Sequence, residues 1–291
     1  MTTLSSEDLR HQVAAGCASF SLAETRDDDR SIRTLRAARD AGIRIFDTAR
    51  AYATVGDPLH NERLLHRALG DDDEIVVMTK GGHFRATHRE WKVDNSPERL
   101  RRDVDDSLAA LGVERLDLFF VHRADGPISI EESFGALDEL RRRGKVRALG
   151  ISNATSEQIE RACAVTEVAA VENRLVAGCP DDGSLATAAR HGVAFFAYSP
   201  LGGPAAARTL PARFPRLSRI AQSRGISPHR LALRGLLAQS PAVSVIVGAG
   251  SPERAQDAAA APREEWDSTT ENAWTCDIAD GDDERTSKGI S

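Results

Sequence analysis

The chain has 291 residues, of which 41% are apolar and 28% charged, and its formal net charge is −6. This composition is typical of a soluble globular protein, and the length suits one large domain or two ordinary ones. The negative charge argues against a general nucleic-acid-binding protein, which usually has a basic surface. No apolar run approaches the roughly 20 residues that span a bilayer, so we expect no membrane segment.

The N-terminal residues lack the charged and then apolar pattern of a secretory signal. The cysteines are widely separated, at Cys17, Cys163, Cys179 and Cys276. Their spacing does not resemble that of zinc ligands, and the histidines are also scattered. We therefore expect reduced thiols, no metal site and a cytoplasmic location.

Short apolar runs alternate with segments of helical spacing along most of the chain. The runs predict strands at Val13–Phe20, Ile43–Phe46, Glu74–Thr79, Leu116–Val121, Val146–Ile151, Val168–Val171, Val193–Tyr198 and Val243–Val247. Helical spacing predicts helices at Arg30–Ala41, Leu59–Leu69, Pro97–Leu111, Ile130–Arg143, Thr155–Val165, Ser184–His191, Pro215–Arg224, Pro228–Gln239 and Pro252–Ala260. Strands that alternate with helices indicate right-handed βαβ units and a parallel sheet.

Eight such units close a barrel, so we predict one (β/α)8 TIM barrel over residues 1–265. Residues 266–291 form a polar, acidic tail, and we expect disorder there from Asp277 to Ser291. The long loop from Gly81 to Asn95 follows a strand end and should rise over the active face.

Polar residues stand where predicted strands end. Asp47, Lys80 and His122 each follow a short apolar run, and Tyr52 lies in the loop after Asp47. A parallel barrel carries all its strand C-termini on one face, here called the barrel mouth, where the active site lies. A phenol, an ammonium, a carboxylate and an imidazole gathered there could donate protons and stabilise a developing negative charge. The sequence thus predicts a proton-donating site.

Residues 13 to about 260 resemble the aldo-keto reductase family. The motifs that carry the resemblance occur in order on successive strand ends, at Phe46–Tyr52, Met78–Gly82, Leu118–Asp125, Ala148–Asn153 and Ala197–Gly202. Each motif alone is a weak signal, but together they are specific. The resemblance implies an NAD(P)H-dependent reductase that transfers hydride to an aldehyde or ketone.

The resemblance also implies a role for each polar residue. Tyr52 would be the general acid that protonates the carbonyl oxygen. The cation of Lys80 would lower the pKa of this phenol, and Asp47 would hold Lys80 charged and oriented. His122 would hydrogen-bond the carbonyl oxygen.

No Gly-x-Gly-x-x-Gly follows the first strand, so a Rossmann site is not supported. The resemblance instead implies an extended nicotinamide dinucleotide across the barrel mouth. Ser152 and Asn153 would bind its carboxamide, and Tyr198 would stack under its nicotinamide ring. The pyrophosphate and adenosine would lie along Ser199, Leu201, Gly202 and the segment Gly248–Asp257, which includes Ser251 and Arg254.

Two positions depart from the family. Glu172 stands where the family usually has a glutamine that contacts the carboxamide, and an ionised carboxylate has no donor for it. Gly248 stands where many relatives carry a basic residue for the 2′-phosphate. Arg254 remains able to clamp a phosphate, and Ser251 can cap the last helix, so we favour NADPH over NADH.

The sequence leaves several alternatives open. The substrate could be a small aldehyde, a sugar ketone or a natural-product intermediate, or a C=N or activated C=C bond. A nucleotide-binding regulatory subunit with the same barrel and little turnover is the alternative from another class. The oligomeric state is also open. Candidate wall residues of the substrate pocket are Cys17, Phe20, His83, Phe84, Trp91 and Trp274.

Overall fold

The computed structural model describes residues 4–23, 25–54, 56–70, 72–87, 90–248 and 250–287, with side chains as far as residue 281. Parallel strands form a closed barrel in which each strand bonds to the next along the chain and the last bonds to the first. These strands are β1 (Val13–Gly16), β2 (Ile45–Asp47), β3 (Val76–Gly81), β6 (Leu116–Val121), β7 (Val146–Ser152), β8 (Ala170–Arg174), β9 (Ala194–Tyr198) and β10 (Val243–Val247). A separate antiparallel hairpin consists of β4 (His83–Arg85) and β5 (Trp91–Val93). The predicted (β/α)8 fold is confirmed.

Helices surround the barrel. They are α1 (Ala18–Leu22), α2 (Asp28–Asp40), α3 (His60–Leu69), α4 (Pro97–Leu111), α5 (Ile130–Arg142), α6 (Ser156–Val165), α7 (Ser184–Arg190), α8 (Gly203–Arg208), α9 (Leu210–Arg213), α10 (Pro215–Ser223), α11 (Pro228–Ala238), α12 (Pro252–Ala259) and α13 (Ser268–Ser287), with a 3-10 turn at Ala261–Arg263. The first predicted strand is too long, because it ends at Gly16 rather than Phe20. There the N–H of Cys17 bonds the carbonyl of Asp47, and the chain then turns into α1. None of the described helices is long and apolar enough to cross a membrane.

The strand residues alternate between two apolar clusters, as the period of two in a β-strand requires. One cluster fills the barrel with Ala14, Ile45, Met78, Leu118, Phe120, Ala148, Ala170, Ala194, Phe196 and Ile246. The other cluster contains Phe119, Val171 and Phe195 and lies between the strands and the helices. Gly150 makes room inside the narrow barrel, since a Cβ at that position would overlap the ring of Phe120. The interior is therefore a packed core and not a channel.

The C-terminal helix α13 packs against α10. Its Trp274 is buried and stacks on Phe214 with 5.2 Å between ring centroids. Its Asp277 accepts hydrogen bonds from the backbone N–H groups of Arg216 and Leu217 at 3.0 Å. These N–H groups lie in the first turn of α10 and have no partner within that helix, so the carboxylate caps it. The disorder that we expected from Asp277 onward is wrong for the start of that segment, and residues 288–291 lie outside the described residues.

Candidate active site

The polar side chains at the barrel mouth lie on the same face of their strands as the residues that point into the barrel. Interior residues of five strands are Ile45, Met78, Phe120, Ala170 and Phe196. Two positions further along stand Asp47, Lys80, His122, Glu172 and Tyr198. Because alternate residues of a strand share a face, these side chains form the top layer of the barrel interior.

Lys80 lies at the centre of this layer, with its side chain fully buried. Its Nζ donates to the carboxylate of Asp47 and to the carbonyl oxygen of Thr48 at 3.1 Å. The same Nζ lies 3.2 Å from Oε1 of Glu172 and 3.4 Å from the hydroxyl of Tyr52. We call Asp47, Lys80 and Glu172 the lysine cluster.

The loop after β2 places Tyr52 beside this cluster. The N–H of Arg50 bonds the carbonyl of Lys80 at 3.0 Å, which fixes the loop against β3. The hydroxyl of Thr48 bonds the side chain of Asn61 at 2.7 Å, which fixes it against α3. The ring of Tyr52 meets the ring of His122 edge to face, with 6.0 Å between centroids. The structure thus brings the predicted phenol, ammonium, carboxylate and imidazole together.

Burial and charge set the protonation of this group. Burial alone would lower the pKa of Lys80, but the charges of Asp47 and Glu172 raise it well above its ordinary value. Burial raises the pKa of Tyr52, and the opposing charge of Lys80 only partly offsets this. As we expected, the charge of Lys80 acts to lower the pKa of Tyr52. Burial has the larger effect, however, so the pKa of Tyr52 is raised overall. The phenol is protonated at neutral pH and able to donate.

The imidazole and the second carboxyl are neutral for related reasons. Burial, with the charge of Lys80 next in size, holds the pKa of His122 well below its ordinary value. Burial and the charge of Asp47 raise the pKa of Glu172 to about 8. Burial raises the pKa of Asp47 as well, but the charge and hydrogen bond of Lys80 oppose this and favour its ionised form. The site then contains one ammonium, one carboxylate and several neutral hydrogen-bond donors, an arrangement that can stabilise a developing oxyanion.

The β4–β5 hairpin rises beside the site. The ring of His83 lies 5.0 Å from that of His122 and 5.2 Å from that of Trp91. Trp91 is 41% exposed and is free to contact a ligand. Phe84 instead lies under the guanidinium of Arg99, with 3.6 Å from Cζ to the ring centroid, so it packs against α4.

Three other candidates for the substrate pocket occupy core positions. Cys17 and Phe20 are buried. Trp274, which belongs to α13, packs against the ring of Phe214 and against Gly235 of α11. Trp274 therefore belongs to the helical layer and not to the barrel mouth. Within the described ranges, no group of His, Cys, Asp and Glu residues is arranged to hold a metal ion.

The predicted cofactor residues stand at the ends of β7 to β10, opposite the predicted catalytic residues. Ser152 is buried, and Asn153 has a left-handed backbone with φ +54°. The hydroxyl of Tyr198 donates to Oδ1 of Asn153 at 2.8 Å, and Nδ2 of Asn153 donates to the carbonyl of His122 at 2.9 Å. Asn153 therefore links the two halves of the barrel mouth.

Beyond Tyr198 the chain makes a tight turn and reaches open surface. Ser199 and Gly202 both have positive φ, and a Cβ on Gly202 would come within 2.8 Å of Ala206. Leu201 is partly buried in this turn. Across β10, a Cβ on Gly248 would meet open space. Ser251 caps α12, whose first turn carries the exposed Arg254.

These residues fit a nicotinamide dinucleotide. Oε2 of Glu172 and Nδ1 of His122 are buried without a hydrogen-bond partner among the described residues. Buried polar atoms normally have partners, and a carboxamide and a carbonyl are groups that could supply them. Exposed backbone at Ser199 and Gly248 and a cation at Arg254 suit the phosphates.

Our sequence-based predictions missed the contact of Glu172 with Lys80. The alternation of residues along β8 could have indicated it, because it places Glu172 on the face that points into the barrel.

Comparison with known proteins decides the family. Residues 12–274 match the family model described as "Aldo/keto reductase family". The chain belongs to the aldo/keto reductase family. It is therefore an oxidoreductase of a family that uses nicotinamide cofactors, as the resemblance predicted.

Named relatives within the aldo/keto reductase family share much of this chain. Pyridoxine 4-dehydrogenase of Escherichia coli is 31% identical over 233 residues, which cover 78% of this chain and 79% of the relative. The 6-dehydroglucose reductase of Novosphingobium aromaticivorans is 33% identical over 254 residues, covering 80% and 81%. The structure of a glycerol dehydrogenase from Gluconobacter oxydans is similar with a TM-score of 0.77 and 27% identity, covering 92% and 91%.

Proposed function

We propose that the protein reduces an aldehyde or ketone carbonyl with NADPH, and that Tyr52 is the proton donor. The observation that carries this proposal is the 3.4 Å approach of the buried Lys80 Nζ to the Tyr52 hydroxyl, beside the ring of His122. An isolated ion pair would serve structure alone, but here it adjoins a phenol and a neutral imidazole that can both donate.

When bound, a reduced nicotinamide would be the source of the hydride for the carbonyl carbon. Tyr52 gives its hydroxyl proton to the carbonyl oxygen, and the ammonium of Lys80 stabilises the phenolate that remains. Asp47 keeps Lys80 charged and fixes its position through their hydrogen bond. The neutral ring of His122 donates an N–H that orients the carbonyl oxygen. Ser152 and Asn153 would hold the carboxamide of the cofactor, and Tyr198 would support its ring.

The preference for NADPH rests on charge. Arg254 lies exposed in the first turn of α12, where its guanidinium and the helix N-terminus both favour an anion such as the 2′-phosphate. The names of the two relatives refer to pyridoxine and to 6-dehydroglucose, both polar and hydroxylated. We therefore place small polar carbonyl compounds first among the substrates.

The test is to mix purified protein with NADPH and a panel of polar aldehydes and ketones, and to follow the absorbance of the reduced cofactor. We expect substrate-dependent oxidation of NADPH. A regulatory subunit, which the replacement of the usual glutamine by Glu172 keeps as the second candidate, would bind NADPH tightly and oxidise none of it with any member of the panel.

A further inference from the structure

Glu172 belongs by position to the cofactor half of the barrel mouth, yet its contact is with the catalytic half. It lies on β8, which is separated from β3 in the barrel by β7 and β6. Its side chain is only 3% exposed, and its Oε1 reaches across the barrel to within 3.2 Å of Lys80 Nζ. A glutamine at this place would bring no charge, whereas a carboxyl can compete with Asp47 for the same ammonium.

The charge balance of the lysine cluster constrains this carboxyl. Lys80 supplies one positive charge, and Asp47 and Glu172 together would supply two negative charges if both were ionised. An unpaired charge in a buried site is costly, and two carboxyls in one site usually retain a proton between them. Asp47 makes the tighter contact with Nζ, so Glu172 is the carboxyl that keeps the proton.

The surroundings of Glu172 support this assignment. Asp47 faces it from β2, Lys80 from β3 and Tyr52 from the following loop, while Ser152 on the adjacent strand β7 is uncharged. Tyr198 at the end of β9 is close enough that, after burial, the charge of Glu172 also raises its pKa. Lys80 is therefore the one cation within the cluster itself, and it is already paired with Asp47.

We propose that Glu172 works as a protonated carboxylic acid that positions Lys80 together with Asp47, and that loss of its proton sets the upper pH limit of carbonyl reduction. This inference rests on the function proposed above. Glu172 acts through Lys80 and Tyr52 and does not touch the reacting atoms, so it is a positioning residue.

The physical effect of that proton is simple. A protonated carboxyl can accept from Lys80 through one oxygen and carries an O–H on the other, as a glutamine carries an amide N–H. When Glu172 releases its proton to solvent, the cluster gains a negative charge beside the phenol, and this charge raises the pKa of Tyr52 further. Tyr52 then becomes a weaker acid, and proton transfer to the carbonyl oxygen slows.

Infrared titration of the cofactor-free protein tests the protonation without any turnover. We expect a C=O stretch from a protonated carboxyl to persist above the ordinary glutamate pKa of 4.5 and to fade near pH 8. The band should vanish in Glu172→Gln and remain in Glu62→Gln, which removes another buried carboxyl. Identical spectra for wild type and Glu172→Gln across this range would overturn the inference, whether or not a substrate is known.

The pH profile tests the catalytic half. In the wild type, kcat should fall roughly tenfold between about pH 7 and pH 9, as a single ionisation near pH 8 requires. In Glu172→Gln the ratio of kcat at pH 7 to kcat at pH 9 should be close to one, whatever the absolute rate of the variant. A purely structural role would lower both rates and leave the ratio unchanged, and that result would overturn the proposed limit. Absence of turnover in wild type would contradict the proposed function and leave the infrared result standing.

Discussion

Two buried ionic groups in this protein differ in what surrounds them. The lysine cluster lies inside the barrel mouth. The second group, which we call the arginine network, consists of Arg50, Glu62, Asp103 and Asp106 and lies between the barrel and helices α3 and α4. In it, Arg50 is 6% exposed, and its nitrogens lie 2.9 Å from Asp106, 3.4 Å from Asp103 and 3.9 Å from Glu62.

The carboxylates of the arginine network have further donors. Glu62 accepts from the hydroxyl of Thr79 at 2.7 Å, and Asp103 accepts from the N–H of Gly82 at 2.9 Å. Arg99 adds a second guanidinium at 2.9 Å from Asp103. Because a guanidinium stays charged at any ordinary pH, this network is a fixed structural element.

The lysine cluster has the opposite character. Its cation is a single ammonium and its neighbours are a phenol and an imidazole, whereas a carboxyl oxygen without a hydrogen-bond partner among the described residues occurs in both groups. The difference indicates that buried charge alone does not mark a functional site. What distinguishes the proposed site is a single ammonium next to a phenol and an imidazole, which are groups that can exchange protons.

The largest effects are expected when one residue of each group is substituted and both kcat and stability are measured. Lys80→Met removes the cation beside Tyr52, so kcat should fall by about 10²-fold or more. It also leaves Asp47 buried without its partner, which should lower the free energy of unfolding by about 3–5 kcal/mol. Steady-state kinetics and chemical denaturation measure the two effects.

Asp103→Asn is the matched change in the arginine network. It should cost about 3–5 kcal/mol of stability, because Arg50 and Arg99 both lose a charged partner. Its kcat, measured well below the unfolding transition, should stay within about tenfold of wild type, since none of these groups contacts the phenol. An Asp103→Asn protein of normal stability, or a Lys80→Met protein of normal kcat, would contradict the comparison.

A smaller effect is expected on the pH dependence of the free energy of unfolding, compared between wild type and Glu172→Gln. Glu172 has a folded pKa of about 8 against an ordinary value of 4.5, so between these pH values the folded protein binds more protons than the unfolded chain. Stability contributed by this group is therefore lost as pH rises through that window, by on the order of a few kcal/mol. Glu172→Gln should abolish this loss, which denaturant titrations at several pH values would detect. An unchanged slope in Glu172→Gln would contradict it.

The smallest effect is expected at the exposed end of the proposed cofactor site. Arg254→Ala should weaken NADPH binding by about tenfold, the lower end for a hydrogen bond to a charged group, and leave NADH binding unchanged. Fluorescence titration with both cofactors measures this. Equal losses for both cofactors would show that Arg254 does not recognise the 2′-phosphate.

The barrel and the position of its site followed from local patterns. Apolar runs such as Leu116–Val121 predict buried strands, and a polar residue after such a run predicts a side chain at the barrel mouth. The contact between Glu172 and Lys80 did not follow, because it joins strands that are not adjacent and exists only once the barrel closes. The ordered start of the tail was missed for the same reason, since Asp277 bonds α10 from about sixty residues away.

The account depends most on Tyr52 as the proton donor. Its hydroxyl lies 3.4 Å from Lys80 Nζ, and Tyr52→Phe removes only that oxygen. We predict that kcat of Tyr52→Phe falls by about 10²–10⁴-fold, while NADPH affinity and the unfolding midpoint stay as in wild type. A Tyr52→Phe protein that reduces the same carbonyl substrate at the wild-type rate would contradict the central claim.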